Sequence, residues 1–319
     1  MKLVLTTFAV MPAMAFAQAG SDYPSKPVKI LVGYQAGGPT DLTARVIASK
    51  LQTALGQAFV VDNKPGAGSN IASEAAAASP ADGYTLLVAA SQMTWNSGLY
   101  KTVKYDPIRS FVPISKIMSS PAVLVVNPKL PFKTVPDLVA FAKREPNKLS
   151  FASSGNGTVP HLSGELFKAA AGVQMTHIPY KGAGPALNDL LGANVDMSFL
   201  TALSALQFVK DGKLRALAVV SNERLPQLPD VPTLKEAGVT GVDLESWNGL
   251  FAPAGTPPAI VQKLSDAVVK IMKEPDVKKV FEEQAAKPIG NKAGEFAAEL
   301  QTEVQRNNAF IKSANLKVD

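Results

Sequence analysis

The chain has 319 residues, a 46% hydrophobic composition, a net charge of +6 and no cysteine. This length fits two domains or one large one, and the apolar content supports packed cores rather than disorder. Zero cysteines exclude disulfides, Cys–zinc sites and a cysteine nucleophile. The mild positive charge shows no like-charge run and no basic stripe with aromatics, so nothing points to nucleic acid.

The first residues read as a secretory signal. Lys2 precedes an apolar run from Leu3 to Val10, and small residues follow at Ala13, Ala15, Ala17 and Ala19. Cleavage is expected after Ala17 or Ala19, which assigns residues 1–19 to a signal peptide and makes the mature chain a secreted one. The segment is too short to span a bilayer, and no later stretch approaches ~18 uninterrupted apolar residues.

After the signal, strand and helix patterns alternate. An apolar, β-branched run at 28–34 predicts a strand. Leu42, Val46, Ile47, Leu51 and Leu55 recur at helical spacing, which predicts a helix over 40–55. A short strand at 58–62, a Gly turn at 66–70, a helix at 71–78 and a buried strand at 85–90 complete a first unit. Two strands at 111–117 and 122–127, with a break at 118–121, and a helix at 135–144 follow. The alternation then restarts, with strands at 149–153, 174–180, 195–200 and 214–220. Helices at 161–171, 184–191 and 202–211 lie between them. A strand at 244–252 and helices at 257–272, 276–284 and 293–312 close the chain. Strand–helix alternation predicts α/β units with parallel sheets. Two crossings, near 117–126 and 244–250, predict a two-lobed clam. Domain 1 is assigned to 22–122 plus 248–319, and domain 2 to 123–247.

Two Gly-rich loops stand out, each between a strand and a helix start. The first is Tyr34-Gln35-Ala36-Gly37-Gly38-Pro39-Thr40-Asp41. The second is Ser153-Ser154-Gly155-Asn156-Gly157-Thr158-Val159-Pro160-His161. Glycine lets a ligand approach the backbone, and free N–H groups at a helix start attract anions. An ordinary capped turn explains the first loop equally well. The second carries Ser153, Ser154, Asn156 and Thr158 within six residues, a density of hydroxyls and amides suited to a carboxylate. His161 either contacts the ligand or caps its helix. Lys181 and Ser91 are further candidates, with 91–96 as a cleft wall that selects the distal part of the ligand. No Gly-x-Ser-x-Gly elbow and no His-Glu-x-x-His motif is present, so the expectation is a non-enzyme without cofactor or metal.

Together these pieces resemble the Bug-type receptors of tripartite tricarboxylate transporters. The segments are Tyr23-Pro24-Ser25-Lys26-Pro27-Val28, Gly37-Gly38-Pro39-Thr40-Asp41, Asn63-Lys64-Pro65-Gly66-Ala67-Gly68 and Ala81-Asp82-Gly83-Tyr84-Thr85-Leu86. With them come Ser154-Gly155-Asn156-Gly157-Thr158 with His161-Leu162, Pro179-Tyr180-Lys181-Gly182 with Pro185-Ala186, and Phe251-Ala252-Pro253-Ala254-Gly255-Thr256-Pro257. The resemblance covers essentially the whole mature chain. It implies an α/β two-domain periplasmic binding protein (Venus-flytrap) fold that closes, as a monomer, on a small organic carboxylate, a dicarboxylate or aromatic acid. It implies delivery to membrane transporter subunits, with the loops at Tyr34–Asp41 and Ser153–Thr158 holding one carboxylate. One departure is Gln35-Ala36, where such receptors more often have Pro after the aromatic residue. A periplasmic sensor for a signalling kinase, or an enzyme acting on an anionic substrate, are the alternative readings.

Overall fold

A computed structural model describes residues 23–180, 182–242, 244–283, 285–313 and 316. The expected signal peptide and Lys181 lie outside the described residues. The first sheet is built around β1 (Val28–Val32), which pairs in parallel with β2 (Phe59–Asn63) on one side and β3 (Thr85–Ala90) on the other. β1 and β3 are apolar and largely covered on both faces, as a parallel sheet requires, while β2 at the sheet's end leaves Val60 exposed. Helix α1 (Pro39–Leu55) links β1 to β2 and buries Ile47 and Leu51 against them. Helix α2 (Asn70–Ala77) links β2 to β3 and packs Ala72 and Ala76 on the opposite face.

The second unit repeats this order. β5 (Ser150–Ser153) lies between β6 (Thr176–Pro179) and β7 (Met197–Thr201), both parallel to it. The connecting helices are α5 (Val159–Ala171) and α6 (Ala183–Gly192). The capping box at Thr134 and Asp137 fixes the start of α4 (Val135–Arg144), which leads into β5.

One long strand joins the two units. β4 (Phe111–Val126) pairs antiparallel with β9 (Glu245–Pro253) as far as Pro121, opposite Glu245. From Ala122 onward it pairs instead with β7 and with β8 (Arg215–Val220). The break expected at 118–121 is therefore absent, because β9 on one side and β10 (Lys287–Pro288) on the other supply partners to Met118 and Ser119. Pro121 sits where the partners change, a position that tolerates a missing N–H.

This pairing fixes where the loops fall. β3 is antiparallel to β9, and β9 to β4, so β3 runs with β4 and ends level with Met118. β7 runs against β4 and ends at Thr201, opposite Ala122. The C-terminal ends of the two parallel sets thus face each other across residues 118–122. Ligand crevices in open α/β sheets form at such ends, where the chain leaves a central strand to either side.

Two elements escaped the sequence pattern: β10, and α3 (Met93–Leu99), whose seven residues are too few to show a helical period. α10 (Ala293–Ser313) reaches both units, burying Phe296 and Leu300 with the first sheet and Ile311 with the second. Among the described residues, no helix is long and apolar enough to cross a membrane.

Candidate ligand cleft

The first loop leaves β1 at Gly33. A Cβ there would stand 2.3 Å from Ser69 Cβ, so only glycine lets the turn before α2 pack against it. Gly37 has φ of 82°, and Pro39 opens α1 with no side-chain cap on Gly38. The loop is organised from within by Asp41, whose side chain is 1% exposed. Asp41 Oδ2 accepts from Gly37 N at 2.9 Å and from Arg45 Nε at 2.8 Å. Its Oδ1 accepts from Asn63 Nδ2 at 2.9 Å, and the same amide reaches Tyr34 O at 3.0 Å. Burial raises the pKa of Asp41, but the bonds from Arg45, Gly37 and Asn63 together outweigh it and hold the carboxyl below its ordinary value. Its charge also lies in the first turn of α1, where the helix dipole favours an anion.

Thr40 is buried, and its Oγ1 accepts from Asn248 Nδ2 on β9 at 3.2 Å. The Tyr34 hydroxyl is buried and closes no hydrogen bond of ordinary geometry, though it lies near the Ser69 hydroxyl, and burial raises its pKa despite that neighbour. The hydroxyls of Ser69 and Ser91 are likewise buried without such a bond among the described residues, while Ser91 N donates to Trp247 O at 3.0 Å.

The second loop holds itself together with neutral groups. Ser153 Oγ accepts from Gly155 N at 3.2 Å, donates to Gly155 O at 3.1 Å and meets His177 Nε2 at 2.6 Å. Thr158 Oγ1 donates to Gly155 O at 2.6 Å. Gly157 N donates to His161 Nδ1 at 3.0 Å. The two imidazoles stack at 4.1 Å between centroids, and Phe151 stacks on His177 at 4.8 Å. Burial depresses both histidines, His177 to about 3 with further help from His161 and Lys168. Gly164 permits this packing, since a Cβ there would sit 2.2 Å from the Phe151 ring.

Several expected ligand contacts are thus spent on loop architecture: the Asp41 carboxylate and the Ser153 and Thr158 hydroxyls. The side chains of Ser154 and Asn156 are half-buried and make no hydrogen bond to described residues. Thr158 closes no side-chain bond at the start of α5, in contrast to the capping box of α4.

The loop also touches the first unit. Tyr100, just after α3, donates from its hydroxyl to Asn156 O at 3.2 Å. A Cβ on Gly157 would stand 3.2 Å from Leu99 Cδ1. The structure therefore brings Tyr34, Gly37, Gly38, Thr40, Asp41 and Ser91 to one edge, and 153–158 with His161 to the facing edge. Ser91 and Gln92 form a turn and residues 93–96 open α3; all six are buried, with Trp95 in the core. Sequence reasoning missed Asn63, Asn248, Ser69 and Tyr100. Asn63 was visible as the head of the Asn-Lys-Pro-Gly turn, and Asn248 as part of the second crossing. Among the described residues, no group of three His, Cys, Asp or Glu is placed to hold a metal.

Two α/β lobes that share a long strand, with helix starts facing each other at the crossing, define a two-domain periplasmic binding protein fold. The family model described as "Tripartite tricarboxylate transporter family receptor" (TctC) matches residues 43–316, and the chain belongs to that family. Protein BugT of Bordetella pertussis is 35% identical over 317 residues, 99% of this chain and 97% of its own length. Among solved structures, R. palustris Rpa4515 with adipate superposes with a TM-score of 0.87 at 35% identity, covering 93% of this chain and 100% of that one. The periplasmic binding protein BugD gives 0.84 at 34% identity, covering 92% of this chain and 100% of its own. MatC from Rhodopseudomonas palustris with bound malate gives 0.83 at 31% identity, covering 91% and 100%.

Proposed function

We propose that this protein is a periplasmic receptor that closes on a small organic carboxylate and delivers it, as a monomer, to the membrane subunits of a tripartite tricarboxylate-type transporter. The observation that carries this reading is the opposition of two helix-start loops across β4, one at Gly37–Asp41 and the other at Ser153–Thr158. Backbone N–H groups at the start of α1 and α5, with Thr40, Ser154 and Asn156, supply the donors. Asp41, Ser153, Thr158 and His161 hold those donors in place, and Tyr34, Ser91 and Lys181 border the ligand. Neutral dipoles at two helix starts suit an anion without a paired cation. The adipate and malate bound by the two R. palustris relatives support a dicarboxylate as the ligand class.

The proposed lobes are 22–122 with 248–319, and 123–247, preceded by a signal peptide at 1–19. The change of partners after Pro121 supports the first crossing. Ligand contacts made by both lobes favour the closed state by population shift. Against an enzyme stands the Ser153–His177 pair: the hydroxyl is buried, and an imidazole with a pKa of about 3 is a poor base near neutrality. A thermal-shift screen against adipate, malate, other mono-, di- and tricarboxylates and aromatic acids tests the reading. A bound carboxylate at a hundredfold excess over its Kd adds about 2.7 kcal/mol to apparent stability. A shift with neutral sugars or amines and none with carboxylates would contradict it.

A further inference from the structure

The two histidines of the second lobe come from different elements, His161 from α5 and His177 from β6, yet their rings stack at 4.1 Å. Both touch the 153–158 loop. His161 Nδ1 accepts the Gly157 N–H at 3.0 Å, which puts the proton of the neutral ring on Nε2. Ser153 Oγ has one proton. The bond to Gly155 O uses it, so Oγ accepts from His177 Nε2 and from Gly155 N. The network therefore assigns a neutral tautomer to each ring and ties both to the backbone of Gly155 and Gly157. The charged groups that act on the rings among the described residues are Glu165 and Lys168 of α5, which pair with each other at 2.9 Å.

We propose that His161 and His177 are positioning residues whose neutral rings hold the 153–158 loop in its ligand-binding form, so that acidification loosens the loop and releases the carboxylate. The proposal rests on the carboxylate-receptor reading given above. A proton added to His161 Nδ1 turns the acceptor of the Gly157 N–H into a donor, and two N–H groups then point at each other. The Gly157 peptide has to turn away, and its neighbours Asn156 and Thr158 turn with it. By linkage, a ligand that needs the neutral rings binds more weakly in acid, and its binding expels protons by the same coupling. Ordinary attraction between a cationic imidazole and an anion has the opposite sign.

The test is calorimetric titration of the mature protein with adipate and malate at pH 7.5 and 5.0, in wild type and His161→Asn. The Asn amide oxygen stands where Nδ1 stood and accepts the Gly157 N–H without titrating. The wild-type affinity is expected to fall at least fivefold from pH 7.5 to 5.0. In His161→Asn the fall is expected to be at least twofold smaller, whatever its absolute affinity; protonation of the ligand adds to the fall in both proteins and cancels in their comparison. In the ligand-free wild type, the Gly157 amide resonance is expected to move with the titration of the His161 ring. Equal pH ratios in the two proteins, or tighter wild-type binding in acid, would overturn the proposal. If neither adipate nor malate binds at any pH, the dicarboxylate reading of the ligand class fails, and a Gly157 amide that ignores the His161 titration overturns this proposal separately.

Discussion

The 34–41 loop is tied down by a carboxylate, and the 153–158 loop by hydroxyls and imidazoles. In the first, Asp41 carries a buried negative charge that three donors surround, one of them the half-exposed guanidinium of Arg45. In the second, Ser153, Thr158, His161 and His177 close every bond without a formal charge. Both arrangements leave a helix start open, yet they respond differently to perturbation. A loop built on a buried charge fails when its charge or a partner is lost. A loop built on neutral imidazoles fails when a charge is gained.

The largest expected effect is Asp41→Ala. It leaves the Gly37 N–H, Asn63 and Arg45 without their acceptor, at a cost of about 3 kcal/mol, read from the denaturant midpoint. Asp41→Asn is expected to cost less, because its amide oxygen keeps one acceptor. A stability profile that changes little in either variant would mean that the carboxylate does not organise the loop.

Next is Gly164→Ala, distant from the first loop. Its Cβ meets the Phe151 ring at 2.2 Å, so the ring must shift and carry the imidazole stack with it. Overpacking of this kind costs about 1–3 kcal/mol, measured by unfolding, and should weaken ligand binding through the second loop alone.

The pH response separates the loops further. The folded pKa of His177 is about 3 against an ordinary 6.5, and His161 is lowered too. Between those values the unfolded chain binds protons that the folded one refuses. The contribution of His177 is complete above pH 6.5 and is lost as pH falls toward 3, at most about 1.4 kcal/mol per pH unit, and His161 acts in the same direction. Asp41, also lowered, gives the same sign in a more acidic window, from about pH 4 downward. Denaturation midpoints from pH 7.5 to 4.5 should therefore fall in wild type and fall less in His177→Gln. The smallest effect is Arg45→Ala, a slight loss of stability that salt diminishes further, since Arg45 is exposed.

The difference between the loops also explains what sequence could show. Helical spacing at Ile47 and Leu51 and continuous apolar strands such as 85–90 made most elements visible, because such a helix buries one face and such a strand both, although Leu42, also counted in the helical period, stays exposed. The Gly turns marked both loops for the same local reason. The single strand β4 was not visible, since Pro121 and two serines are held by β9, β10 and the tail, all distant in sequence. The split of roles inside the loops was hidden as well. That Asp41 turns back on Gly37 depends on Asn63, 22 residues away, and that Ser153 meets an imidazole depends on His177, 24 residues away. Hydroxyl density pointed to the second loop, but it could not separate Ser153, which braces the loop, from Ser154, which is left open.

The account depends most on one ligand lying between the two loops. A crystal structure of the mature protein grown with adipate or malate tests that directly. The account predicts a carboxylate within hydrogen-bond reach, direct or through one water, of both the 37–41 and the 154–158 backbone. A carboxylate seated on one lobe only, or outside the cleft at β4, would contradict it.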